Sequence, residues 1–65
     1  MKKETLGKKI SRLREDQGLS RLALAYKSGV SLGTIRRIEI DKGKPYALTL
    51  KVLAKALKVR VEELT

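Results

Sequence analysis

Cysteine and histidine are both absent from this 65-residue chain, as are tryptophan and phenylalanine; proline occurs once and tyrosine twice. Without cysteine no disulfide forms, and without cysteine or histidine the side chains that hold structural zinc are missing. Carboxylates alone bind hard cations, but no loop here spaces acidic ligands for one. No metal and no cofactor is therefore expected. Catalysis usually needs a positioned acid, base or nucleophile. The acidic residues outside the first few positions fall as Glu15-Asp16, Glu39, Asp41 and Glu62-Glu63 with no motif around them, so the chain reads as no enzyme. No apolar run approaches the length that spans a bilayer. Interfacial helices rely on aromatic anchors, and two tyrosines supply few. The opening MKKETLGKKI is charged and lacks the apolar segment of a signal peptide. A cysteine-free chain without an export signal is expected in the cytoplasm.

Positive charge is abundant. Sixteen Lys and Arg face seven Asp and Glu, a net charge of +9. Such an excess points to a polyanion, and nucleic acid is the commonest. The stacking aromatics of common RNA-binding modules are missing, which favours duplex DNA. At this length one domain is expected, over residues 1–65.

The apolar pattern is helical throughout. Leu6, Ile10 and Leu13 recur at helical spacing, with Gln17 completing the face. Thr5 caps this first helix and Gly18 ends it, giving a span from about Thr5 to Gln17. Ser20 caps a second helix, with Leu22, Ala25 and Tyr26 on one face and Leu24 and Ser28 on the next turn; it stops at Gly29. Ser31 caps a third, which runs through Ile35, Ile38 and Glu39. Asp41 to Pro45 is a loop of turn formers. The fourth helix covers Ala47 to Leu57, with an apolar stripe of Leu50, Leu53, Ala54 and Leu57. Val59, Val61 and Leu64 imply a short fifth. KVRVEE is the one brief strand candidate.

The second and third helices are joined by only a few residues, which forces their axes to cross steeply. Ala25 supplies the small side chain that close crossing needs. Gly29 supplies the positive φ of the turn. Val30 plugs the corner, and Ile35 and Ile38 anchor the third helix inward, leaving its other face free. This is a helix-turn-helix arrangement over about residues 21–40, in which the second of the two helices enters a DNA groove.

Three stretches carry a family resemblance: LGKKISRLREDQGLS, LALAYKSGVSLGTIRRIE, and P-x-x-x-T-L-x-x-L-A-K-A-L from Pro45 to Leu57. Together they resemble the phage repressor and Cro type of helix-turn-helix, also called the XRE family, from Leu6 to Leu64. The resemblance implies an all-α, five-helix lambda-repressor-like domain that binds double-stranded DNA as a homodimer. It implies base-reading positions at Ser31, Leu32, Gly33, Arg36 and Arg37, and at Arg21, which touches an outer base or a phosphate. An arginine fork matches both major-groove acceptors of guanine, so Arg36 and Arg37 are the principal candidates. Leu32 either contacts a thymine methyl or closes a corner of the core. Ser20, Thr34, Lys42 and Lys44 are phosphate candidates, joined by Lys8, Lys9 and Arg12 on the first helix. By the family pattern Arg14 pairs with Glu39 and fixes the angle of the reading helix. Val59, Val61 and Leu64 form either a dimer patch, as the resemblance implies, or plain core. The chain departs from the family at Gly33, where a polar reader is common. It departs again at Ile40-Asp41, where Asn-Gly is common, and at Lys58, where glycine is common.

The leading expectation is a small transcriptional regulator, a repressor by type. The alternative is an antitoxin-type protein that binds a toxin partner and represses its own operon; no extra partner-binding tail is seen in this sequence.

Overall fold

The computed structural model describes residues 4–64. Four α-helices follow in order: α1 (Leu6–Asp16), α2 (Arg21–Ser28), α3 (Leu32–Glu39) and α4 (Ala47–Ala56). A single 3-10 turn, Val61–Glu63, comes after them. The class is all-α as expected, but the fifth helix is only that turn. Its three residues close by i to i+3 bonds, Glu63 N–H to the Arg60 carbonyl at 3.0 Å and Leu64 N–H to the Val61 carbonyl at 2.9 Å. KVRVEE divides between the link that follows α4 and this turn, and no strand occurs among the described residues.

Local chemistry sets the helix starts. The Thr5 hydroxyl accepts the Lys8 N–H at 3.2 Å, Ser20 accepts that of Ala23 at 3.0 Å, and Ser31 accepts that of Thr34 at 3.2 Å. Each such cap contributes about 1 kcal/mol. The α4 helix follows Pro45 and starts at Tyr46 with no side-chain cap. At their other ends α1, α3 and α4 close alike. The residue after the cap turns left-handed, and its N–H and the next one bond back into the last turn. That residue is Gly18 in α1, but Asp41 (φ 58°) in α3 and Lys58 (φ 58°) in α4.

The core is one cluster: Ile10, Leu24, Ile35, Ile38, Leu53, Ala54, Leu57 and Leu64. Full burial of each Leu or Ile contributes about 1.5–3 kcal/mol of hydrophobic free energy. One expectation is corrected by it and another is narrowed. The inward residue of α2 is Leu24, fully buried, whereas Leu22 and Tyr26 face out at 53 % and 83 % exposure. Leu24 lies on the side of α2 that α3 and α4 both cover, so the short helix is phased on it. Leu64 is 2 % exposed within a single chain, because the 3-10 turn folds it back on the core. Of the two readings open for it, core or dimer patch, this burial favours the core. Val59 and Val61 are half-buried and pack on the same cluster. Gln17 is exposed, outside the apolar face, and its Nε2 donates to the Leu57 carbonyl at 2.6 Å.

The approach of α1 to α3 depends on Gly7. It is buried, and a Cβ there would lie 2.5 Å from the carbonyl oxygens of Ile38 and Glu39. The Gly7 N–H donates to Asp41 Oδ1 at 2.9 Å, so the residue that turns the chain out of α3 also satisfies an orphan donor of α1.

Candidate nucleic-acid interface

The α3 helix is held by one face and presents the other. Ile35 and Ile38 are buried at 0 % and 4 % exposure, one turn apart. Helical spacing then turns Gly33 and Arg37 away from the core, with Arg36 flanking them. Ser31, Leu32, Gly33, Thr34, Arg36 and Arg37 are all exposed. Neither Arg36 nor Arg37 has a hydrogen bond or ion pair among the described residues, so all the guanidinium donors remain available. Leu32 is 37 % exposed. Ser31 and Thr34 bond each other: Ser31 Oγ donates to Thr34 Oγ1 at 2.8 Å while accepting the Thr34 N–H. Around Gly33 there is open space, so packing does not demand glycine there.

The turn before α3 has the expected parts. Gly29 has φ 76°, and its N–H donates to the Ala25 carbonyl at 2.9 Å. Ala25 and Val30 are half-buried against the core.

A buried ionic group fixes the far end of α3. Arg14 Nε donates to Glu39 Oε2 at 2.8 Å and Nη2 to Oε1 at 3.2 Å. Arg14 Nη1 donates to the Leu19 carbonyl at 2.8 Å. The bond to Glu39 holds the Arg14 guanidinium charged more firmly than usual, against the opposing effect of burial. Arg21 joins this group through a bond from Nε to Glu39 Oε1 at 2.9 Å. Arg21 is therefore not the free side chain its place at the start of α2 suggests; only its terminal nitrogens remain to face outward.

Beside α3 an open cleft is lined by Thr34, Arg37, Lys42, Lys44, Tyr46 and Thr49, with Pro45 in its wall. It brings Lys42 and Lys44 into the same wall as Arg37. Ser20 is not among the residues that line this cleft; it caps the start of α2. Arg12 is drawn elsewhere: it makes a two-pronged bond to Glu4 at 2.7 and 3.0 Å and lies 3.8 Å from Asp16. Among the described residues no group of three His, Cys, Asp or Glu could hold a metal. No described helix is long and apolar enough to cross a membrane.

A short turn between two helices, the second anchored inward by Ile35 and Ile38, agrees with the comparisons with known proteins. A helix-turn-helix family model, HTH_3, matches residues 10–64. The chain belongs to this helix-turn-helix family of DNA-binding transcriptional regulators. The HTH-type transcriptional repressor RghR of Bacillus subtilis (strain 168) is 45 % identical over 62 residues, covering 94 % of this chain and 46 % of that protein. The chain thus spans about half the length of this curated relative. The restriction-modification controller protein C.AhdI from Aeromonas hydrophila superposes with a TM-score of 0.88 at 28 % identity, over 92 % of this chain and 91 % of that one. An HTH_3 family transcriptional regulator from Vibrio cholerae gives 0.87 at 28 % identity, over 94 % and 34 %. The family is one of regulators, not of enzymes.

Three features of this helix-turn-helix domain were not legible beforehand. Tyr46 and Thr49 complete the cleft wall, and Tyr46 is 84 % exposed. Pro45 signalled a helix start but nothing about its closeness to α3. The bond from Arg21 to Glu39 spans 18 positions, and no local pattern encodes it. The Gly7 contact spans 34.

Proposed function

We propose that this chain is a sequence-specific repressor that binds double-stranded DNA as a homodimer in the cytoplasm, with α3 of each copy in the major groove. One observation carries the reading: Ile35 and Ile38 hold α3 by its inner face while Arg36 and Arg37 project with every donor free. A bidentate arginine–guanine contact discriminates against the wrong base by about 1–3 kcal/mol. Arg37 and Arg36 are the base readers, Leu32 offers its methyls to thymine, and Ser31 and Gly33 let the backbone come close. Lys42, Lys44, Ser20 and Thr34 neutralise or bind phosphate and set register without reading sequence.

Size supports a dimer. Eight residues make α3 about 12 Å long, which covers some four base pairs at 3.4 Å each. Four base pairs recur far too often to mark one site. A second copy on the next face of the duplex, one turn or about 34–36 Å away, doubles the sequence read. The Bacillus relative is called a repressor, and this supports repression over activation.

Selection of bound sequences from random duplex DNA tests the reading. A two-fold symmetric consensus is expected, and Arg37→Ala relaxes one position in each half-site. Four lysine contacts per dimer put the slope of log affinity against log salt near −3.6 before arginines are counted, at about −0.9 per phosphate. Binding without sequence preference, or binding insensitive to salt, would sink it.

A further inference from the structure

Glu39 makes more bonds than a helix-pairing carboxylate requires. Its side chain is 2 % exposed. Arg14 already supplies both prongs of one guanidinium fork, at 2.8 and 3.2 Å. Yet Oε1 accepts a third bond, from Arg21 Nε at 2.9 Å. Arg21 opens α2, where the helix dipole disfavours a cation. Its side chain is 46 % exposed, so water is open to it. Instead its Nε turns inward to the last residue of α3. That bond fixes the guanidinium plane, and the two terminal nitrogens make no bond among the described residues. Two arginines on one carboxylate leave the group a net charge of +1. The three residues belong to three different helices, α1, α2 and α3.

We propose that Arg21 is a positioning residue that couples a phosphate contact at the start of α2 to the setting of α3, through the Glu39 carboxylate it shares with Arg14. This rests on the reading of α3 as the base-reading helix. A phosphate held by the terminal nitrogens of Arg21 stiffens the guanidinium that grips the end of α3. Arg14 grips the same carboxylate from α1. With both held, α3 rocks less, and Arg36 and Arg37, three and two residues before Glu39, meet their bases at a fixed angle. A phosphate contact without this link strengthens binding to every duplex equally. With the link, it strengthens binding to the correct sequence most.

The test compares the wild-type chain with Arg21→Gln and Arg21→Lys on the selected duplex and on a random duplex, across a salt series. Thermal melts set a temperature at which all three are folded. For Arg21→Gln, the magnitude of the salt slope is expected to fall by about 0.9 per chain on both duplexes. The ratio of specific to random affinity is expected to fall at least five-fold. Arg21→Lys restores the slope but not the ratio, because an ammonium is a point charge and cannot hold carboxylate and phosphate in one plane. An equal loss on both duplexes overturns the coupling and makes Arg21 a plain phosphate contact. Relaxation at one base position overturns it in favour of base reading, and no change overturns it outright. Wild-type protein without sequence preference means that the reading of α3 has failed, and the coupling falls with it. Wild-type preference retained unchanged by Arg21→Gln removes the coupling alone.

Discussion

Gly7 and Gly33 lie in two helices that meet around the same surface, and space separates their roles. A methyl group at Gly7 would lie 2.5 Å from the carbonyl oxygens of Ile38 and Glu39 and 2.8 Å from Asp41 Oδ1. Backbone oxygens at the end of α3 cannot give way without moving α3 itself. Gly7→Ala is therefore expected to destabilise the fold by about 2–3 kcal/mol, overpacking outweighing the gain in helix propensity. Gly33 has nothing within 4 Å of where its Cβ would be. Gly33→Ala is expected to stabilise the fold by up to about 1 kcal/mol. Denaturant unfolding of the two variants checks both signs. DNA titration then separates them further: Gly33→Ala is the more stable protein and the weaker binder, because the added methyl stands on the face turned to the groove. An equal or stronger DNA affinity would assign Gly33 no part in the approach.

Among the elements, the helix ends divide into those the sequence states and those it conceals. Thr5, Ser20 and Ser31 were legible as caps because capping acts over three residues. The inward phase of α2 was not, because Leu22, Leu24, Ala25 and Tyr26 offer two apolar faces on eight residues and only packing chooses between them. The closure of α3 and α4 was concealed for another reason. Asp41 and Lys58 stand left-handed where glycine is easier, and the two differ in compensation. Asp41 caps the Gly7 N–H across the fold. Lys58 is exposed and makes no such side-chain bond. A left-handed lysine costs about 1–2 kcal/mol, and glycine returns part of that as unfolded-state entropy. Lys58→Gly is thus expected to gain about 0.5–1 kcal/mol, raising Tm by roughly 2–8 °C in calorimetry for a domain this small. Asp41→Gly should show no such gain. The start of α1 adds a pH dependence. The Arg12 guanidinium bonded to Glu4 holds that carboxyl below its ordinary value of 4.5. Because the folded value is the lower one, the pair's contribution is complete above the unfolded value and fades as pH falls through the folded value. Glu4→Gln should flatten the acid limb of stability against pH, and an unchanged limb would show the pair to be inert.

For the molecule as a whole, size makes each core residue count. Typical stabilities of 0.05–0.15 kcal/mol per residue give a chain of 65 residues about 3–10 kcal/mol. The core that supplies this includes Leu64, on the last turn of the described chain. Removing a buried leucine side chain costs about 2–5 kcal/mol, a large share of that total. Leu64→Ala is therefore expected to lower Tm sharply and to lose DNA binding on warming, while a chilled sample still folds and binds. The distinguishing measurement is dilution. A residue buried within one chain makes the loss independent of protein concentration, whereas a residue buried between two chains makes it grow as the protein is diluted. Melting curves of wild type and Leu64→Ala over a hundred-fold concentration range decide between these. A constant difference in Tm assigns Leu64 to the core of each copy. A difference that widens on dilution would return it to the dimer patch and would mean that the single-chain core is one residue smaller than it stands here.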